Sequence, residues 1–403
     1  MTPQAEAPSP RRSVWALYTL LSVTFINILG FGIVVPLLPF YGQSFHAQPW
    51  QIGLIFSAYS MGSFFGEPFW GRLSDRIGRK PILVSTTLAN CLCYGALAFA
   101  PSIGFAFVIR FLGGMAAGNG SVIQGYIADV TAPEDRAGRM ANLGAAYNIG
   151  FILGPVAGGF LAKPSAGTIG FQIPLLAASA LAGLSSLGIL LLVRESRRVR
   201  PVDTHPPSRW AVIGFAARHP VVGRLMLLTF MVGFAFTGIE SVFGLWAHHR
   251  FAWQPRDVGL CFAISGLVSS PTQFFITGTL SRRFGEARML AVGMVGTVIA
   301  MALIPFGDGR WATYALMAMM ALCSSVAFPN AGALMSRAID EHSQGQIMGL
   351  NNACGAFARF AGPSGAAFVY SSISVDGPYF LGALVVAPAI LLALGAGKAA
   401  GRV

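Results

Sequence analysis

The chain has 403 residues, of which 54% are apolar and only 10% charged, and its mean hydropathy is +0.64. A water-soluble domain carries about 25% charged residues to cover its surface, so a soluble enzyme or binding module is excluded and most of this surface must face lipid. The net charge of +12 would suit nucleic acid or acidic lipid, but its distribution along the chain assigns it to membrane topology.

Residues 1–13 read as a polar cytoplasmic tail, without the apolar core and cleavage site of a signal peptide. An apolar span needs about 20 residues. Such stretches fall at 15–40, 50–70, 81–100, 104–127, 139–161 and 171–193, and again at 222–246, 257–277, 289–307, 311–336, 345–370 and 378–397. They predict an all-α integral membrane protein of twelve transmembrane helices in two pseudo-symmetric six-helix bundles, 14–193 and 222–397. A cytoplasmic linker at 194–221 joins them and a short tail, 398–403, follows. Of the 27 Lys and Arg, only Lys163, Arg250, Arg256 and Arg310 fall in the opposite set of loops, and Arg110 and Arg359 fall inside spans. That asymmetry places both termini in the cytoplasm.

The halves repeat each other. Gly71-Arg-Leu-Ser-Asp75-Arg76-Ile-Gly78-Arg79-Lys80, between the second and third spans, returns as Gly278-Thr-Leu-Ser-Arg282-Arg-Phe-Gly285-Glu286-Ala287. Gly154-Pro155 likewise returns as Gly362-Pro363. A membrane-spanning unit that repeats at half length points to a transporter. In the first copy, Gly71 and Gly78 allow tight turns, and Asp75 among Arg72, Arg76 and Arg79 can pair with a neighbour or cap a helix of the other half. We read this loop as a conformational latch.

In the fourth span, Arg110 precedes Gly114 and Gly118, whose i, i+4 spacing forms a groove for a neighbouring helix. An arginine inside a span needs a partner or water and is a functional candidate by default. In the fifth span, Gly150, Gly154, Pro155, Gly158 and Gly159 combine a lost backbone hydrogen bond with close-packing sites. Apart from Asp257 at the first position of its span, Glu67 and Glu240 are the only acids inside spans. Glu240, counted as six residues from the outer end of its span, is the leading proton or cationic-substrate site, with Arg359 expected as its counter-charge. Glu67 is a second proton-coupling candidate near the latch. Asn27 and Arg110 fall at similar depths and could be hydrogen-bonded. Asn27, Phe31, Tyr59, Arg110, Gln124, Tyr147, Asn148, Phe234, Asn330, Asn351 and Asn352 are positioned to line a cavity that would hold an amphipathic organic molecule rather than a sugar.

Five cysteines lie in spans without metal-type spacing, and no phosphate-binding loop, catalytic triad or metal-ligand cluster occurs. No enzyme, cofactor or metal site and no nucleic-acid partner is expected. The basic run Arg194 to Arg200 could additionally contact acidic lipid.

Gly71 to Lys80 resembles the G-x-L-a-D-R-x-G-R-K loop of the major facilitator superfamily, and the helix-4 and helix-5 patterns are similar to those of its twelve-helix drug/proton antiporters. Gly125-Tyr-Ile-Ala-Asp129-Val and Gly30-Phe31-Gly-Ile-Val-Val-Pro-Leu-Leu-Pro39 resemble the tetracycline-exporter branch. The resemblance implies export, through the helix-5 motif, and a central cavity lined by helix 7. That branch carries acids in helices 1 and 3, where Asn27 and Cys93 stand here, so neither tetracycline nor that proton path is expected. The resulting expectation is a carrier of the inner (plasma) membrane, functional as a monomer, that exports a small amphipathic compound in exchange for protons. The alternatives are a metabolite carrier (sugar, amino-acid derivative or siderophore) and a non-transporting membrane receptor of the same fold.

Overall fold

The computed structural model describes residues 10–132, 135–196, 214, 219–339 and 341–400. Twelve long helical elements run in chain order. In the first half these are α1 (Pro10–Val34), α2 (Pro49–Ile77), α3 (Arg79–Ala98), α4 (Ile103–Ala117 and Gly120–Val130), α5 (Arg136–Leu161) and α6 (Gln172–Leu192). In the second they are α7 (Pro220–Phe251), α8 (Pro255–Pro271, continuing to Phe284), α9 (Glu286–Leu303), α10 (Gly309–Arg337), α11 (Glu341–Ser372) and α12 (Gly377–Ala400). No strand occurs among the described residues.

Several boundaries differ from the sequence expectation. Helix α1 already begins at Pro10, inside the expected tail. Most of the linker and the run Arg197 to Arg200 lie outside the described residues. Helix α7 continues past residue 246 to Phe251, because Trp246 and Phe251 pack into an aromatic cluster that prolongs the helix beyond its apolar span. Helix α4 is interrupted at Gly118-Asn119, where glycine lets α2 approach and the Asn119 amide donates to the Thr86 hydroxyl at 2.8 Å instead of facing lipid. Helix α8 widens into a π-turn over Thr272–Ile276, directly after Pro271, and the Thr277 hydroxyl donates to the Thr272 carbonyl. Proline lacks an N–H and disrupts the regular ladder, and a π-turn is one way to absorb it.

Ten of these elements are long and apolar enough to cross a membrane by length and composition. The two outside that set are α2 and α11, and they pack against each other between the halves. They carry Glu67, Asn351, Asn352 and Arg359. A helix facing a cavity and a partner half can hold polar groups that lipid would not accept. Their weak hydropathy therefore follows from their place.

Each half is tied internally by glycine contacts. On α5, Gly150, Gly154 and Gly158 recur every four residues and all face α1, meeting Ile28, Gly32 and Ile33. A methyl group at 154 would lie 2.6 Å from the Gly32 Cα, so only glycine fits that crossing. One position further round the helix, Gly159 faces Pro255 and Arg256 of α8, and the Pro155 carbonyl lies under Gly259. The helix-5 motif thus has two faces, one holding its own half together and one touching the other half.

Many contacts between the halves lie at the end opposite the chain termini. Ser57 of α2 donates to the Phe360 carbonyl at 2.6 Å and meets the Ser364 hydroxyl at 2.7 Å. Gly53 lies against Pro363 and Ala367, and Pro39 against Gly244. The Phe40 ring meets His248 edge-on, and Arg256 lies 4.3 Å over the Phe160 ring. This end is sealed.

Candidate functional site

Helix α7 carries Phe236, Glu240 and Phe243 at i, i+4 and i+7, which puts them on one face. That face looks toward α8 and α10, and the Phe243 ring lies 5.5 Å from Phe262. Glu240 opens into a pocket lined by Phe151, Phe236, Phe262, Met317, Met320 and Ser265, with no basic residue in its wall. The Ser265 hydroxyl is already engaged by the Cys261 carbonyl at 2.9 Å. Phe151 comes from α5, so the pocket spans the boundary between the halves. With α7 reaching Phe251, Glu240 sits eleven residues from the helix end, about 16 Å along the axis.

The expected pairing of Glu240 with Arg359 does not occur. Arg359 projects from α11 on a different side of α7, its guanidinium over Gly355 and beside Thr229. Its electrostatic partner is Glu67 of α2, in the opposite half. The sequence error was one of helix face, since depth alone cannot tell which side of a helix a residue occupies. Glu67 also lies beside the interruption of α4: its carboxylate is nearest neighbour to Gly120, where the second piece begins. A carboxylate is favourable at a helix N-terminus.

Arg110 is 3% exposed, and its Nε has no hydrogen-bond partner. Its guanidinium carbon lies 4.2 Å from the centroid of the Tyr59 ring, and Tyr59 in turn packs on Phe31 at 5.2 Å. The expected hydrogen bond to Asn27 is not formed. Asn27 lies half-buried on α1, one turn before Phe31. The groups that interact with Arg110 are Tyr59, Tyr94 and Cys93, and none is a carboxylate. Tyr59 is also a neighbour of Tyr147 on α5, which stands one turn from Phe151 of the Glu240 pocket.

The other expected cavity residues divide. Tyr147 and Asn148 are half-buried on α5, while Gln124 is exposed on the second piece of α4. Phe234 packs on Gly365 in the α7–α11 contact. Asn330 is consumed by its own helix, donating to the Val326 carbonyl at 2.7 Å. Asn352 is exposed, and the Asn351 Oδ1 is buried without a partner.

At the terminal end of the first half, Arg79 joins Asp75 at 3.1 Å and Asp129 at 3.3 Å, and donates to Ser74. Glu195 caps the start of α3, accepting from the Arg79 and Lys80 backbone amides at 2.8 and 3.0 Å. Gly78, at φ +104°, makes the turn that admits this carboxylate. Gly71 faces Ser121, and Arg76 is exposed. Sequence reasoning found Asp75 and Arg79 but missed the roles of Asp129 and Glu195. Both lie at helix ends remote in sequence, and only folding brings them to α3. Among the described residues, no group of His, Cys, Asp and Glu is arranged to hold a metal ion.

The sequence model of the Major Facilitator Superfamily matches residues 20–253 and again 225–399. The chain is 29% identical to the tetracycline resistance protein, class C, of Escherichia coli, over 89% of this chain and 90% of that one. It is 26% identical to multidrug resistance protein 2 of Bacillus subtilis, covering 86% of each. The quinolone resistance protein NorA of Staphylococcus aureus is 25% identical, over 91% of this chain and 92% of its own. Among solved structures, the human organic anion transporter MFSD10 is 24% identical with a TM-score of 0.69, covering 96% of this chain and all of the other. The nucleoside transporter NupG superposes with a TM-score of 0.77 at 13% identity, over 95% and 99%.

Proposed function

The chain belongs to the Major Facilitator Superfamily, a family of multi-pass membrane transporters of small molecules, and from that premise we propose that it exports a small amphipathic, drug-like compound in exchange for protons. The observation that carries this reading is Glu240, a titratable group in an otherwise apolar pocket between the halves, with no basic residue in the pocket wall. A bare carboxylate in such a pocket is costly. The pocket therefore holds either a proton or a cationic group on Glu240, and competition between the two links their movements. A site whose occupant differs in charge between two conformations biases the equilibrium between them.

Export agrees with the names of the relatives, which are called tetracycline, multidrug and quinolone resistance proteins. Asn27 and Cys93 argue against tetracycline itself. The distribution of basic residues supports cytoplasmic termini in an inner or plasma membrane. The end at which α2 and α11 meet through Ser57 and Ser364 then faces outward. Rocking of the halves about α2–α11 and α5–α8 would exchange these states. Glu67 and Arg359, on facing helices, would re-form their interaction as the halves move. The loop at 71–80 would bias the equilibrium, and one chain would suffice for transport.

The test is accumulation. Cells expressing the protein should retain less of several unrelated amphipathic dyes and drugs than controls, and a protonophore should abolish the difference. Unchanged accumulation across the panel, with uptake of a metabolite instead, would replace export by metabolite carriage. No flux of any compound in proteoliposomes under a pH gradient would favour a receptor.

A further inference from the structure

We infer that Phe151 is the seal that decides when Glu240 exchanges its proton, an apolar side chain lent by the first half to the coupling carboxylate of the second. This deepens the export reading and rests on it. Among the described residues, every wall of the Glu240 pocket but one comes from α7, α8 and α10; the exception is Phe151 of α5. The second half alone therefore leaves the pocket unclosed on that side. Beside Phe151, Ile152 packs on Gly266 of the same pocket, where a methyl group would lie 2.5 Å from the isoleucine side chain. These residues mark one end of a seam between α5 and α8. Further along it the Pro155 carbonyl lies under Gly259, and Gly159 meets Pro255. Pro255 and Gly266 are eleven residues apart on the chain, about 16 Å of helix. Close contact at each of these points keeps water out of the seam.

The internal repeat sharpens the assignment. Phe151 and Arg359 hold the same place in the two halves, each three residues before a Gly-Pro pair. Each stands by an acid of the opposite half, Phe151 at Glu240 and Arg359 at Glu67. Arg359 offers its acid a charge, whereas Phe151 offers only apolar area. A ring in that place withholds water from the carboxylate, and a narrow apolar constriction passes neither water nor ions. Helix α5 moves with the first half. When the halves rock apart along α5–α8, it carries the ring away and opens the pocket through the seam. When the seam closes, the ring returns. Proton exchange on that side is thereby tied to conformation, which an antiporter needs if protons are not to cross without substrate.

The experiment measures proton leak. Full-length protein is reconstituted in proteoliposomes that enclose a pH-sensitive dye, a pH gradient is imposed, and no substrate is added. The wild type should hold the gradient. Phe151→Ala should collapse it at least about tenfold faster, as lowering the barrier by about 1.4 kcal/mol would do. Phe151→Leu should leak at an intermediate rate, and it decides the matter if the alanine variant fails to fold. Adding Glu240→Gln to either variant should stop the leak, because the seal acts on that carboxylate. A gap left by poor packing would leak whether or not residue 240 titrates. Vesicles as tight as the wild type, or a leak that survives Glu240→Gln, overturn the inference. Since no substrate is present, the result stands apart from the export reading, which fails separately if the wild type moves no compound.

Discussion

Glu286 and Arg337 hold each other at 2.9 Å, in the places that Arg79 and Asp129 occupy in the first half, where the bond is 3.3 Å. Arg79 and Glu286 each open a helix immediately after a glycine of positive φ, Gly78 and Gly285. Each bonds to the last turn of the next helix, so the tie is repeated with its charges exchanged. The second half agrees with the helix dipoles, with an acid at an N-terminus and a base at a C-terminus. The first half opposes them, and Glu195 supplies the missing negative charge at the start of α3.

Charge exchange in the second half should therefore be tolerated. Arg337 is 77% exposed on its side chain, so its pair is worth at most about 1 kcal/mol. Glu286→Arg alone should lower the melting temperature slightly, and combination with Arg337→Glu should recover most of the loss. Thermal unfolding in detergent of the two single variants and the double variant measures this.

Arg79 is a different case, because its side chain is only 10% exposed and serves two carboxylates. Arg79→Gln leaves Asp75, Asp129 and Glu195 facing one another. It should cost about 1.5–3 kcal/mol, the range for hydrogen bonds to charged groups. Urea or thermal denaturation followed by tryptophan fluorescence would measure it.

Asp75→Asn should leave substrate binding unchanged and reduce turnover, since a latch acts on the balance of conformations without touching the ligand. Equilibrium binding and initial flux, measured on the same preparation, separate the two effects. Weaker binding with unchanged turnover would remove the latch role.

The sealed end can be locked. The Ser57 and Ser364 hydroxyls are 2.7 Å apart across the halves, close enough for a short cross-link. In a background without the five native cysteines, Ser57→Cys with Ser364→Cys should cross-link on oxidation and stop transport. Reductant should restore flux.

The α1–α5 crossing depends on Gly154. Gly154→Ala should destabilise the first half by about 1–3 kcal/mol through overpacking, or shift α1 and slow turnover. Gly144 faces open space on the same helix, and Gly144→Ala is the control that should change neither.

The halves, the spans and the glycine spacing were legible because membrane helices are written in composition and period. The four-residue spacing of Gly114 and Gly118 named a groove for a neighbouring helix, which α2 fills through Tyr59 and Gly66. The site was less legible. Glu240 and Arg359 were paired by depth, although Glu240 faces α8 and α10 while Arg359 meets Glu67. The extension of α7 to Phe251 was hidden because an aromatic cluster, rather than an apolar span, supports it. Asp129 and Glu195 gave no local signal, since their partners are distant in the chain. Arg110 was found, but its seat on Tyr59 was not, because a ring face leaves no motif.

The central claim is that Glu240 couples protons to substrate movement. Wild-type protein and Glu240→Gln, reconstituted in proteoliposomes and assayed at saturating substrate, should both exchange substrate for substrate. Only the wild type should concentrate substrate when a pH gradient is imposed. Full gradient-driven accumulation by Glu240→Gln would contradict the account and move the coupling site elsewhere, with Glu67 the next carboxylate to examine.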